Sequence, residues 1–125
     1  MRVEELRIGN WVEDIVSYRF VKIDGIESNH DVIWVNYKNG SAQYDLNLLN
    51  LQPIKLTEEI LLKCGFVFSH IIGDERVFSN KKINLLINAY DNNIIKFDVF
   101  IIKHLHQLQN LFFSLTHKEL EINGL

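Results

Sequence analysis

One stretch near the C-terminus, residues 101–115, constrains the fold more than any other part of the chain. It reads Ile-Ile-Lys-His-Leu-His-Gln-Leu-Gln-Asn-Leu-Phe-Phe-Ser-Leu. Its apolar residues recur at helical spacing and cover an arc of roughly 120°, which is wide enough for packing on a sheet. The residues on this arc are Ile101, Leu105, Leu108, Leu111, Phe112 and Leu115. The stretch therefore predicts an amphipathic helix.

The first half of the chain has the pattern of short strands. Its apolar residues alternate with polar ones, and β-branched and aromatic residues are frequent, as in half-buried strands. Asn39-Gly40 is a two-residue hairpin signal, because both turn positions need positive φ. The predicted strands are residues 7–12, 20–26, 32–37, 41–46 and 48–56. Short strands in such close succession predict a small SH3-like β-barrel over residues 1–56.

The second half opens with a short helix inside residues 54–66. Thr57 is placed to cap its first turn, and Gly65 is placed to take the left-handed position after its end. Strand patterns then return, before the helix of 101–115, at residues 66–70, 76–78, 83–90 and 94–100. The fold class is therefore predicted as α+β: the barrel, then an antiparallel β-meander packed against a C-terminal helix. Residues 1–56 and 57–125 form its two parts, within one compact domain overall.

Composition excludes several classes of partner. The chain has 125 residues and a formal net charge of -3, so no overall basic field attracts nucleic acid. No apolar run approaches the ~20 residues of a membrane-spanning helix. The single cysteine, Cys64, excludes a disulfide framework and is expected to be a small buried hydrophobe. We expect a cytoplasmic protein with no membrane partner.

No group of residues carries a catalytic signature. His104 and His106 form a His-x-His pair, but in a helix these positions diverge by about 200°, so the two rings cannot face one metal ion. The glycines are scattered singly and form no phosphate-binding loop, and no nucleophile motif is present. We therefore predict a protein that is not an enzyme and that has no metal or cofactor. A small-nucleotide pocket, which spacing alone does not reveal, stays an alternative.

Two groups of residues are candidates for contact with a partner. Ile102, His106 and Phe113 lie on a flank of the predicted helix, outside both its apolar arc and its polar strip. Either a second element of the chain covers this flank, or it is an apolar patch that binds a protein. The second group consists of barrel aromatics, of which Trp34 and Tyr37 are the candidates. Such aromatics can also stack nucleic-acid bases, which leaves nucleic acid as an alternative partner.

Three segments resemble a group of small proteins from Bacteroidota genomes and their phages or prophages. They are Leu6-Arg-Ile-Gly-Asn-Trp-Val12, Ile54-x-Leu-Thr-Glu-Glu-x-Leu-Leu-Lys-x-Gly-Phe66 and His106-Gln-Leu-Gln-Asn-Leu-Phe-Phe-Ser-Leu-Thr116, the last within a likeness around residues 104–120. The group commonly has Trp at the position of Ile60 and Gly at that of His117. No catalytic residues are carried over from it.

The resemblance implies a binding role in a mobile element. The leading hypothesis is a non-enzymatic protein-binding module that inhibits a host defence effector, such as a nuclease, as anti-CRISPR proteins do. The first alternative is a nucleic-acid-binding accessory or regulatory protein that uses the barrel. The second is a small-nucleotide-binding protein. The oligomeric state is left open.

Overall fold

The chain folds into antiparallel sheets and helices, a mixed α+β arrangement. The computed structural model describes residues 3–27, 32–37, 43–47 and 50–125. Within these ranges the elements are a 3₁₀ turn at Val3–Glu5, β1 Trp11–Asp14, β2 Arg19–Glu27, β3 Val32–Tyr37, β4 Gln43–Asn47, β5 Leu51–Gln52, α1 Glu58–Lys63, β6 Val67–Ile72, β7 Glu75–Ser79, β8 Asn84–Asn88, β9 Ile95–Phe97, β10 Phe100–Ile101 and α2 Leu105–Thr116.

The chain divides into two units. The first consists of residues up to Ile54 together with 105–110, and the second consists of 55–104 together with 111–125. The first boundary lies two residues before the predicted one at residue 56. Helix α2, which the sequence pattern assigned wholly to the second part, contributes its first half to one unit and its second half to the other.

The first unit contains a five-stranded antiparallel sheet in the order β4-β3-β2-β1-β5. Alternation along β1 and β2 directs Val12, Val21 and Ile23 into one apolar cluster with Leu6 and Leu51. Strands β3 and β4 pair antiparallel on either side of the predicted Asn39-Gly40 turn, which itself lies outside the described residues. No sheet is closed within the described ranges, so the SH3-like barrel is not confirmed.

The second unit contains a five-stranded antiparallel meander, β6 to β10 in consecutive order. Its interior face carries Phe78, Leu85, Ile87 and Ile95, which are fully buried and follow one another across the register. The segment predicted as one strand at 94–100 is two strands, β9 and β10. The chain reverses between them at Asp98, which takes a left-handed φ of 56°.

Helix α1 begins and ends with the capping residues that the sequence predicts. The Thr57 hydroxyl accepts a hydrogen bond from the N–H of Ile60 at 3.2 Å, so it caps the first turn. Gly65 follows the helix end with a left-handed φ of 84°, a conformation that glycine adopts without a steric penalty. The helix buries Ile60 and Leu61 and exposes Leu62.

Helix α2 begins at Leu105, four residues after the predicted start. Ile101 belongs to β10, and Lys103 and His104 are extended because they pair with the segment at Lys55 and Leu56. These backbone pairs replace the hydrogen bonds that another helical turn would make. At its other end the helix stops at His117, which takes a left-handed φ of 59° although a side chain is present.

Adjacent leucines of α1 test this assignment of buried and exposed faces. Leu61 is 0% exposed and Leu62 is 53% exposed. We expect Leu61→Ala to lower the free energy of unfolding by about 2–5 kcal/mol, because it leaves a cavity in the core. Leu62→Ala, the matched control, is expected to change it by less than about 1 kcal/mol. Urea denaturation of the two variants measures both values, and equal losses would contradict the assigned face.

Candidate functional site

The β1–β2 hairpin of the first unit ends in an exposed apolar tip. Asp14 pairs with Arg19 as the last residue pair of the hairpin, which leaves a loop of Ile15, Val16, Ser17 and Tyr18. Tyr18 is 84% exposed, and both aliphatic residues are exposed as well. Hairpin loops usually consist of Gly, Asn, Asp and Ser, which suit turn backbones and water. Here the loop presents apolar side chains instead. We call residues 15–18 the hairpin tip.

A buried carboxylate holds the hairpin tip in place. Asp14 is almost fully buried, and its Oδ1 accepts the N–H of Val16 at 3.0 Å. Its Oδ2 accepts the hydroxyl of Ser17 at 2.7 Å. The N–H of Ile15 donates to the carbonyl of Asn50 at 2.9 Å. These three hydrogen bonds replace the missing turn residues, so the loop has a defined conformation despite its apolar sequence.

Tyr18 has an unfavourable backbone and no burial to offset it. Its φ is +57°, in the left-handed region, where a residue with a Cβ is less stable than glycine by about 1–2 kcal/mol. Its ring is exposed, so the folded chain gains little from the large apolar side chain. Strained backbones of this kind cluster at functional positions. Tyr18 therefore combines a strained backbone with an exposed aromatic ring.

A second exposed apolar feature lies in the second unit, on strand β6. This strand is at the end of its sheet, and each of its residues is exposed. Its large apolar residues are 51–63% exposed: Val67, Phe68, Ile71 and Ile72. Ser69 and His70 lie between them and form a hydrogen bond with each other at 2.8 Å.

A buried amide network ties the start of the first unit to the first half of α2. Gln109 accepts the N–H of Trp11 at 2.8 Å and donates to the carbonyl of Gly9 at 2.9 Å. Asn110 accepts the side-chain N–H of Asn10 at 2.8 Å and donates to the carbonyl of Glu5 at 3.1 Å. These amides satisfy one another and the backbone, as buried polar groups must. The network is structural and connects two parts of the first unit.

The structure separates the residues that the sequence proposed for partner contact. Ile102 and His106 are buried, so they form no exposed flank with Phe113. The flank was derived from a helix starting at residue 101, whereas Ile102 precedes the observed helix. Phe113 keeps 37% of its surface exposed. Trp34 and Tyr37 lie in β3, and their side chains are outside the described part of the structure.

The sequence pattern did not single out the hairpin tip. Tyr18 was one of several aromatics in the predicted barrel, and nothing in its spacing set it apart. The available signal was the lack of glycine or asparagine between Asp14 and Arg19, where two strands must reverse. An apolar turn that lacks those residues needs another group to fix it, and Asp14 is that group.

The described residues contain no group of three or more His, Cys, Asp and Glu side chains arranged to hold a metal ion. His104 precedes α2, so the helical-angle argument applied to His104 and His106 does not hold for the pair. Among the described helices, none has the length and apolarity needed to cross a membrane.

Cys64 lies buried at the end of α1. Desolvation by burial raises the pKa of its thiol from the ordinary value of 9.0 to about 12, because an ionised sulfur would lose its hydration. A thiol that stays protonated is a poor nucleophile. Cys64 therefore acts as a core residue, as the sequence predicts.

This raised pKa gives a pH-dependent stability. Between pH 9 and about 12 the unfolded chain releases a thiol proton that the folded chain keeps, so the free energy of unfolding falls as the pH rises. Below pH 9 both states hold the proton and the contribution is complete. We expect wild type to lose more stability than Cys64→Ala over this window in chemical denaturation. Equal slopes for the two proteins would contradict the assignment.

No protein-family model matches the chain, and no solved structure matches it. The hairpin tip and strand β6 are therefore interpreted from their own geometry. The likeness to Bacteroidota phage and prophage proteins stays a prediction from the sequence.

Proposed function

We propose that the chain is a non-enzymatic protein-binding module and that the hairpin tip is its contact with the partner. The observation that carries this proposal is the state of Tyr18, whose aromatic side chain is exposed on a strained backbone within a braced loop. A fold with no use for this ring would be more stable with glycine at the position. The ring is therefore assigned to a partner.

The tip has the properties of an effective binding anchor. Tyrosine brings a large contact area with only two side-chain torsions, so ordering it on binding costs little entropy. Aromatic residues also dominate the energetic centres of protein interfaces. Because Asp14 already fixes the loop, the partner does not have to order its backbone. Val16 and Ile15 add apolar surface beside the ring.

The partner that we propose is a defence effector of a bacterial host, such as a nuclease, and the chain would act as its inhibitor. This rests on the resemblance to phage and prophage proteins. The net charge of -3 supports it, because the nucleic-acid-binding surface of a nuclease is basic and attracts an acidic protein. For the first unit we keep the SH3-like barrel as a proposal, since β5 lies beside β1 at one end of the sheet.

Substitution of Tyr18 by glycine separates binding from folding. The left-handed backbone is relieved by about 1–2 kcal/mol, and the freer unfolded chain offsets about 0.4–1 kcal/mol of this. We expect Tyr18→Gly to be at least as stable as wild type in urea denaturation. Binding is measured by chemical cross-linking of the tagged full chain in host lysate, followed by quantitative mass spectrometry. Recovery of the cross-linked partner should fall at least tenfold.

Tyr90→Gly is the matched control, because Tyr90 is 85% exposed and lies in a turn of the second unit. It should recover the partner as well as wild type does. Equal recovery by Tyr18→Gly and wild type would overturn the assignment of the tip. Recovery of nucleic acid instead of a protein, lost at raised salt, would favour the nucleic-acid alternative.

A further inference from the structure

We propose that the chain forms a symmetric homodimer in which strand β6 pairs antiparallel with β6 of a second copy. This inference is independent of the hairpin tip, which lies in the other unit. It rests on the position of β6 at the end of its sheet in the part of the chain that the structure describes, on the arrangement of its apolar residues along the strand, and on the absence of Asp, Glu, Lys and Arg from it.

Strand β6 has few of the features that keep sheet edges apart. Edge strands expose unpaired N–H and C=O groups, and proteins usually protect them with charged residues or proline. The six residues Val-Phe-Ser-His-Ile-Ile include no Asp, Glu, Lys, Arg or Pro. One protective feature is present, a β-bulge at Ser69, where one residue of β6 has no counterpart on β7.

The bulge places the two end residues of β6 on the same face of the sheet. Val67 lies opposite Ser79 and Ile72 lies opposite Glu75. Residues directly opposite share a face of the sheet, and Ser79 and Glu75 are four residues apart on a regular strand, so they share one face. Val67 and Ile72 therefore also share a face. Without the extra Ser69 they would lie on opposite faces.

The residues inside these ends are arranged in the same way. Phe68 lies opposite Phe78 and Ile71 lies opposite Arg76, so both occupy the other face. Five residues of β6 pair with β7, because Ser69 is the extra residue of the bulge, and His70 is the third of the five. Read from either end, β6 shows the same order of apolar faces around a polar centre.

This symmetry makes the strand complementary to itself. A two-fold axis through His70 places Val67 against Ile72 of the partner subunit on one face. On the other face it places Phe68 against Ile71 of the partner subunit. Each pair occurs twice, as in any isologous interface. Asp, Glu, Lys and Arg are absent from both strands, and His70 lies beside His70 of the partner subunit at the axis. Apolar and aromatic cross-strand pairs of this kind stabilise antiparallel sheets.

The surface area that two copies of β6 would bury indicates a weak dimer. A large apolar side chain carries on the order of 150–200 Å², so half-exposed side chains contribute roughly 100 Å² each. Pairing at the edge covers only part of this surface, so two copies of the strand bury at most on the order of 800 Å² of side-chain surface, whereas stable interfaces bury about 1,200–2,000 Å². We therefore expect dissociation in the micromolar range, with the dimer populated at high protein concentration.

Sedimentation velocity across the micromolar range tests the dimer. Wild type should shift with concentration from the mass of one chain, 14.7 kDa, towards twice that mass. Ile71→Lys should raise the dissociation constant at least about tenfold, because lysine on an edge opposes pairing. Ile101→Lys is the matched control: Ile101 is an exposed isoleucine on β10, the other edge strand of the same sheet. It should dimerise as wild type does.

Cysteine cross-linking tests the register. His70→Cys places two thiols across the two-fold axis, within disulfide distance, and should give a dimer band under mild oxidation. Ile72→Cys places its thiols well beyond that distance and should give little. The native Cys64 is buried and does not compete.

Three results would overturn the proposal. Wild type that stays monomeric at every concentration would mean that the bulge at Ser69 protects the edge. A dimer that Ile101→Lys disrupts and Ile71→Lys does not would place the interface at β10. Cross-linking of Ile72→Cys in preference to His70→Cys would exclude this register. None of these results bears on Tyr18, so the dimer and the proposed function fail separately.

Discussion

The first unit depends on amide side chains that come from a helix almost a hundred residues away in the chain. The side-chain amide of Gln109 makes the hydrogen bonds that a neighbouring strand would make. Its oxygen accepts the N–H of Trp11, and its N–H donates to the carbonyl of Gly9. These backbone groups lie where β1 begins. Loss of Gln109 would leave both of these groups, which belong to half-buried residues, without this partner. A fully buried group without a partner costs about 1–3 kcal/mol. The start of β1 is therefore completed from α2.

Part of this arrangement follows from the sequence and part does not. Thr57 and Gly65 determine α1 through local hydrogen bonding and backbone freedom, which is why its cap and its end are predictable. The start of α2 is not predictable in this way. Apolar periodicity continues through Ile101, but Ile101 pairs with Lys96 and the backbone of residues 103–105 pairs with the segment at residues 54–56. Periodicity carries no information on such distant partners.

The candidate contact surfaces also depend on tertiary contacts that the sequence pattern does not reveal. Helical angles placed Ile102 and His106 on a flank, but a tertiary contact decides whether a flank is buried. Conversely, Tyr18 lies in the loop of an ordinary hairpin, and only its left-handed φ and its exposure make it a candidate contact residue. Arg7 to Trp11 and His106 to Asn110 lie within two of the three segments on which the predicted resemblance to phage and prophage proteins rests. In this structure they bond to each other, so they support the fold and leave partner contact to other residues.

Amide hydrogen exchange at Trp11 tests most directly whether α2 completes the first unit. In Gln109→Leu the Trp11 N–H loses its acceptor, and we expect its exchange to accelerate at least about tenfold, while amides of the β7–β8 ladder keep wild-type rates. Gln107→Leu, an exposed glutamine on the same helix, should leave Trp11 unchanged. Wild-type exchange at Trp11 in Gln109→Leu would contradict the account.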